Sequence, residues 1–157
     1  MTESSIESRI ATSEFFTGLA PDFVQFLAAN ATTRRLAGGE TLFRYGERAD
    51  RFYLVSTGHV SVDVPAIAGP ALELQDLGPG AVVGWSWLIP PHRWNFEAHA
   101  TTRSEVVEFD GAAVLAHCEE NARFGYELLK HFAALMSERL AFARRKMMDA
   151  WSPAGFA

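Results

Sequence analysis

The chain has 157 residues, 48% of them hydrophobic and 21% charged, with a net charge of -5 from 14 basic and 19 acidic side chains. That length suits one domain with a real core, and the acidic balance argues against a nucleic-acid coat, which needs clustered Lys and Arg. A single cysteine, Cys118, excludes an internal disulfide and a four-cysteine zinc site.

The opening "MTESSIESRIATSEFF" has no basic stretch leading into an apolar run, so no signal peptide is expected. No apolar run approaches the ~18 residues of a membrane span. The protein is therefore expected to be cytoplasmic, with Cys118 a reduced, buried thiol. Residues 1–12 are polar and predict a flexible N-terminus ahead of one domain over 13–157. "FFTGLAPDFVQFLAANA" follows as a short amphipathic helical region, with Pro21 in the first turn and Phe23, Val24, Phe26 and Leu27 clustered on one side.

The middle of the chain changes character. "TTRRL", "TLFRY", "RFYLVS", "HVSVDV", "ALELQDL", "AVVG", "WNFEAHA" and "EVVEF" are short runs rich in β-branched and aromatic residues. Turn signals separate them at Gly38-Gly39, Gly46, Gly58, Gly69-Pro70 and Gly78-Pro79-Gly80. Short strands at such intervals predict an antiparallel sandwich or roll. Alternation puts Val60, Val62 and Val64 on one face. It likewise separates Trp94, Phe96, Ala98 and Ala100 from Asn95, Glu97 and His99.

Asp110 is a plausible N-cap, and the pattern turns helical after it, over 111–119 and then over a long helix, 122–150. Along that helix Leu129, Phe132, Met136, Leu140, Ala143 and Met147 recur at spacings of three and four, beside a second stripe of Leu128, Leu135 and Phe142. One stripe is expected to pack on the β-domain and the other on a partner, with the first assigned to a homodimer. The basic run Arg144, Arg145, Lys146 suits a helix end, where cations complement the dipole.

This order of elements, with "GGETLFRYGERADRFYLVSTGHVSV" and "LGPGAVVG", resembles the cyclic-nucleotide-binding domain. The resemblance covers about residues 14–148 and implies a mainly β fold with flanking helices: an antiparallel β-roll of the jelly-roll type with a long C-terminal helix. The family's phosphate cassette follows that last glycine with a glutamate for the ribose and, after a leucine and a gap, an arginine for the cyclic phosphate. Here Gly84 and Leu88 match the glycine and leucine. Trp85 stands at the glutamate position, Trp94 at the arginine position, and Asn95 where serine or threonine is usual. A hydrogen bond to a charged group contributes about 1.5–3 kcal/mol, so losing both anchors weakens a nucleotide site severely.

Ser86 and the local amides remain to meet an anion. Arg93 lies one position from the expected site, and in a regular strand that shift turns it to the opposite face. It serves only if the Pro90-Pro91 loop bends the chain; otherwise it is an exposed loop arginine. Trp85, Trp87, Trp94 and Phe96 either fill the space a nucleotide takes in relatives, line a pocket for a less charged ligand, or face a protein partner. Trp151 either caps the pocket or packs at the end of the long helix.

Enzyme chemistry has thin support. His59, His92, His99, His117 and His131 are scattered, with no H-x-H or H-E-x-x-H pattern, and neither a G-x-S-x-G elbow nor a P-loop occurs. Cys118 is followed by Glu119 and Glu120, which do not activate a thiol. The residues after 147 are too few for a recognition helix, so no direct DNA binding is expected. The expected function is a regulatory ligand-sensing module without cofactor or metal, its candidate pocket Gly84, Trp85, Ser86, Trp87, Leu88, Arg93, Trp94 and Asn95. The alternatives are a ligand-free interaction scaffold and a weak cyclic-nucleotide binder acting through Arg93 and backbone amides.

Overall fold

Eight strands form where β-branched and aromatic runs lie between glycine turns, and helices flank them at both ends. The computed structural model describes residues 5–65 and 72–151. The predicted Gly69-Pro70 turn, residues 1–4 of the N-terminus and the Trp151 side chain lie outside what is described. The order is α1 (Ile6–Thr12), α2 (Pro21–Ala29), β1 (Ala31–Leu36), β2 (Thr41–Phe43), β3 (Arg51–Thr57), β4 (Val60–Val64), β5 (Leu72–Leu77), β6 (Val82–Val83), β7 (Glu97–Ala100), β8 (Ser104–Asp110), α3 (Gly111–Glu120) and α4 (Ala122–Trp151). All eight predicted runs contain a strand. Asp110 caps α3 as expected, its Oδ1 accepting from the Ala113 amide at 3.1 Å.

The strands make two four-stranded antiparallel sheets, β1-β8-β3-β6 and β2-β7-β4-β5. This is the predicted β-roll. The first sheet is covered on both faces, which is why "FYLV" in β3 and "VV" in β6 are continuously apolar. One face meets the helices in a core of Phe52, Leu54, Val82, Trp87, Val107 and Phe109 packed on Phe23, Leu27, Phe124, Leu128 and Phe132. The other meets the second sheet through Tyr53, Val55, Val83 and Val106, opposite Phe43, Val60, Val62, Trp94, Ala98 and Ala100. Glu108 on β8 ties the edge together, accepting from Arg34 on β1 at 3.1 Å and from Arg51 on β3 at 3.0 Å.

Two expectations are corrected. Residues 6–12, expected to fray, form α1. Ser5 caps it by accepting from the Ser8 amide at 3.1 Å. Ile10 is fully buried in the helix-side core. Arg9 Nη1 lies 2.9 Å from Glu105 Oε1, an ionic contact without hydrogen-bond alignment. Ile6 packs against the same core, so two isoleucines a helical turn apart and Arg9 dock this polar segment.

The assignment of faces on α4 is also off by one position. Phe132 belongs to the buried stripe, with Phe124, Leu128 and Leu135, and meets Phe52 and Trp87 edge-on. It is therefore no interface residue. The uncovered positions are Tyr126, Leu129, Ala133, Leu140 and Met147, with Met136 and Ala143 half-buried between them. Leu129, Met136, Leu140, Ala143 and Met147 thus keep the face predicted for them, and Ala133 takes the place of Phe132.

Candidate functional site

The stretch from Gly84 to Phe96 is placed by β6 on one side and β7 on the other. Its chain path depends on Gly84, whose φ is 98°. A Cβ built there would lie 2.8 Å from Trp94 Cη2. Only glycine tolerates both the left-handed backbone and that approach. The chain then closes in a single turn, with the Leu88 amide donating to the Trp85 carbonyl at 3.0 Å and Trp87 Nε1 donating to the Gly84 carbonyl at 3.3 Å. The Pro90–Pro91 bond is cis, and His92, at φ 56°, turns the chain back with its Nδ1 2.9 Å from the Trp87 carbonyl oxygen.

The eight candidate residues separate into two groups. Gly84, Trp85, Ser86 and Trp94 come together, with Phe43, Val62, Val83 and Phe96, around a cavity of about 10 Å³. Trp94 is 5% exposed and stacks on Phe43 with ring centroids 3.8 Å apart and planes at 12°. Trp85 packs edge-on against Phe96 at 5.8 Å. The other four are elsewhere. Trp87 points into the helix-side core, stacked on Phe52 at 4.6 Å, and Leu88 packs against the same core. Trp87 is fully buried in that core, and Trp85, only partly buried, packs against its margin while lining the cavity. Arg93 is exposed and donates from Nη1 to the Gly46 carbonyl at 3.0 Å. Asn95 is exposed as well. The alternation that buries Trp94 and Phe96 turns both outward.

One residue that sequence reasoning passed over belongs here. Arg139 of α4 is 8% exposed and lines the 10 Å³ cavity. Its Nη2 donates to the Val82 carbonyl. Burial pushes its guanidinium down to about 10, with Glu138 opposing only weakly. Beyond it lies a second cavity of about 100 Å³ between β4, β5 and α4, lined by Val62, Leu74, Trp85, Phe96, Met136, Leu140 and again Arg139. The signal was legible: Arg139 continues the stripe Leu128, Phe132, Leu135, a charge at a core-facing helical position.

The cyclic nucleotide-binding domain family model matches residues 33–121. The chain belongs to that family. It resembles a protein of Geobacter metallireducens GS-15 assigned as cyclic nucleotide-binding, with TM-score 0.76 and 26% identity over 88% of this chain and 99% of that one. It also resembles the catabolite activator protein of Thermus thermophilus, with TM-score 0.69 and 27% identity over 88% of this chain and 62% of that one. The regulatory domain of Toxoplasma gondii PKA, solved with cAMP, shares the fold at TM-score 0.71 and 19% identity, over 85% of this chain and 49% of that one. In sequence, 75 residues are 35% identical to the acetyltransferase Pat of Mycolicibacterium smegmatis. That match spans 48% of this chain and 22% of Pat. The cyclic nucleotide-binding domain is thus present as a regulatory module. Among the described residues no helix is long and apolar enough to cross a membrane.

Proposed function

We propose that this domain is a ligand sensor whose cassette no longer takes cyclic AMP or GMP in the family's usual way. The observation that carries it is the Trp94–Phe43 stack, with Trp85 beside it, which leaves about 10 Å³ at the cassette. A sugar phosphate has no room in that space, although Arg139 of α4 reaches its wall. Arg93, the substitute cation, is engaged at Gly46 on the surface, which speaks against weak nucleotide binding through it. The sensor acts as a homodimer through α4. Tyr126, Leu129, Ala133, Met136, Leu140, Ala143 and Met147 follow one another at alternating spacings of three and four, the repeat that a second copy of the same helix covers. Met136 and Leu140 also line the 100 Å³ cavity, so partner helix and ligand share a wall.

Thermal shift with cyclic AMP and GMP tests the specificity, because a ligand that prefers the folded state raises Tm with concentration. No saturable rise below millimolar is expected; a micromolar response overturns the reading. Sedimentation tests the dimer. Leu140, 71% exposed in the single chain, is replaced in Leu140→Glu, which is expected to halve the mass of the wild type. Equal masses in both remove α4 from the interface. The second reading, a scaffold without ligand, is favoured by the same filled cassette and predicts silence toward every small molecule.

A further inference from the structure

Arg139 is a buried cation whose burial the neighbouring Glu138 offsets only in part. Among the described residues no carboxylate pairs with it, and its one hydrogen bond goes to a neutral carbonyl, that of Val82. A charge removed from water is poorly compensated by one such bond. Burial accordingly disfavours its charged form. The cavity it faces is apolar apart from Arg139 and Gln75, with Val62, Leu74, Trp85, Phe96 and Leu140 around it. Leu140 at the rim is largely exposed in the single chain, on the face where the second copy of α4 would pack.

Three constraints narrow the occupant. Arg139 is the only cation lining either cavity, so one negative charge balances it. Rings and branched side chains around it ask for an apolar body. The enclosed space is about 100 Å³, less than the ~150 Å³ of an apolar cavity that holds benzene, so the occupant is small and an aromatic body would reach past the rim at Leu140. We propose that this cavity binds a small monocarboxylate with an aromatic or branched aliphatic body, its carboxylate paired with the Arg139 guanidinium and its body held by Trp85, Phe96 and Leu140. The carboxylate supplies the compensation that Glu138 leaves incomplete, and the planar fork of arginine suits it. This rests on the sensor reading above and gives it a ligand class.

The test sets benzoate, phenylacetate and 3-methylbutanoate against the neutral benzamide and phenylacetamide. Binding is followed by calorimetry and by tryptophan fluorescence, to which Trp85 at the cavity wall contributes. At least one acid is expected to bind saturably, with its amide about tenfold weaker or silent, the size of one charged hydrogen bond. Arg139→Met is expected to lose the acid by about tenfold or more, and Arg139→Lys to retain part of it. The contrast of acid and amide in the wild type stands even if a variant fails to fold. Silence toward all three acids overturns the proposal. So does equal binding of acid and amide, or undiminished binding of the acid by a folded Arg139→Met. Cyclic AMP in the same wild-type assay separates the two failures. Acids and cyclic AMP both silent removes the Arg139 site alone, whereas a micromolar cyclic AMP response removes the sensor reading itself.

Discussion

The two cores of this domain are built around the same motif, a tryptophan stacked on a phenylalanine, and put it to different uses. On the helix side Trp87 lies on Phe52 at 4.6 Å, Phe52 lies on Phe109 at 4.4 Å, and Phe132 of α4 closes the group edge-on. Between the sheets Trp94 lies on Phe43 at 3.8 Å, but the layer above it is Trp85, Phe96 and a buried arginine, with space left between. The first group joins sheet, loop and helix into one unit. The second packs Trp94 beside a small cavity whose wall includes a cation from the helix, Arg139. Aromatic bulk alone does not mark a site; bulk beside a poorly compensated charge and a void does.

Removing Trp87 should break the comparison most severely. Trp87→Ala leaves a large hole under Phe132, and the expected loss is about 3–5 kcal/mol, or a fall in Tm of about 6–20 °C. Thermal and urea unfolding check it; a loss below about 1 kcal/mol would mean that the helix-side group is no keystone. Gly84→Ala should rank second. It forces a left-handed alanine into the Trp94 ring, at an expected cost of about 1–3 kcal/mol by the same measurements.

Trp85→Ala should cost less, about 1 kcal/mol, because Trp85 is already partly exposed and borders a void. If it matched Trp87→Ala, the two cores would be equivalent and the contrast would be lost. The smallest effect concerns Cys118, which packs against the helix-side core. Burial, aided by Glu119, pushes its thiol up to about 11. Because that raised value lies above the assay pH, the thiol stays protonated at pH 8. Labelling by a thiol reagent should then be slow in the native state, speed up as the pH climbs toward 11, and reach the free-thiol rate on unfolding. Rapid native labelling at pH 8 would show that this edge of the core is open.

Much of the fold was legible because its causes are local. Glycine turns, β-branched runs and a capping Asp110 act within a few residues, and each predicted strand lies where they place it. The burial of Trp94 was legible too, because it shares its alternating face with Ala98 and Ala100. The outward turn of Arg93 followed from the two-residue strand period, once the loop proved not to bend the chain enough to bring it in. Other features escaped for physical reasons. Ile6 and Ile10 make only a single i,i+4 pair among polar residues, a weak signal, yet both pack on the helix-side core as α1 docks. A one-residue step around a helix is about 100°, so Phe132 and Ala133 exchange faces on a difference that spacing rules of three and four do not resolve.

By itself the sequence determined which segments extend, which coil, and that tryptophans stand at positions 85, 87 and 94 of the stretch after β6. Those depend on backbone preferences and on residue identity at counted positions. The tertiary structure alone decided that Trp87 and Trp94 fill separate cores, and that Arg139 from the far end of the chain enters the space beside Trp85. Burial and proximity arise only when distant elements pack, and no local period encodes which neighbour a side chain will meet.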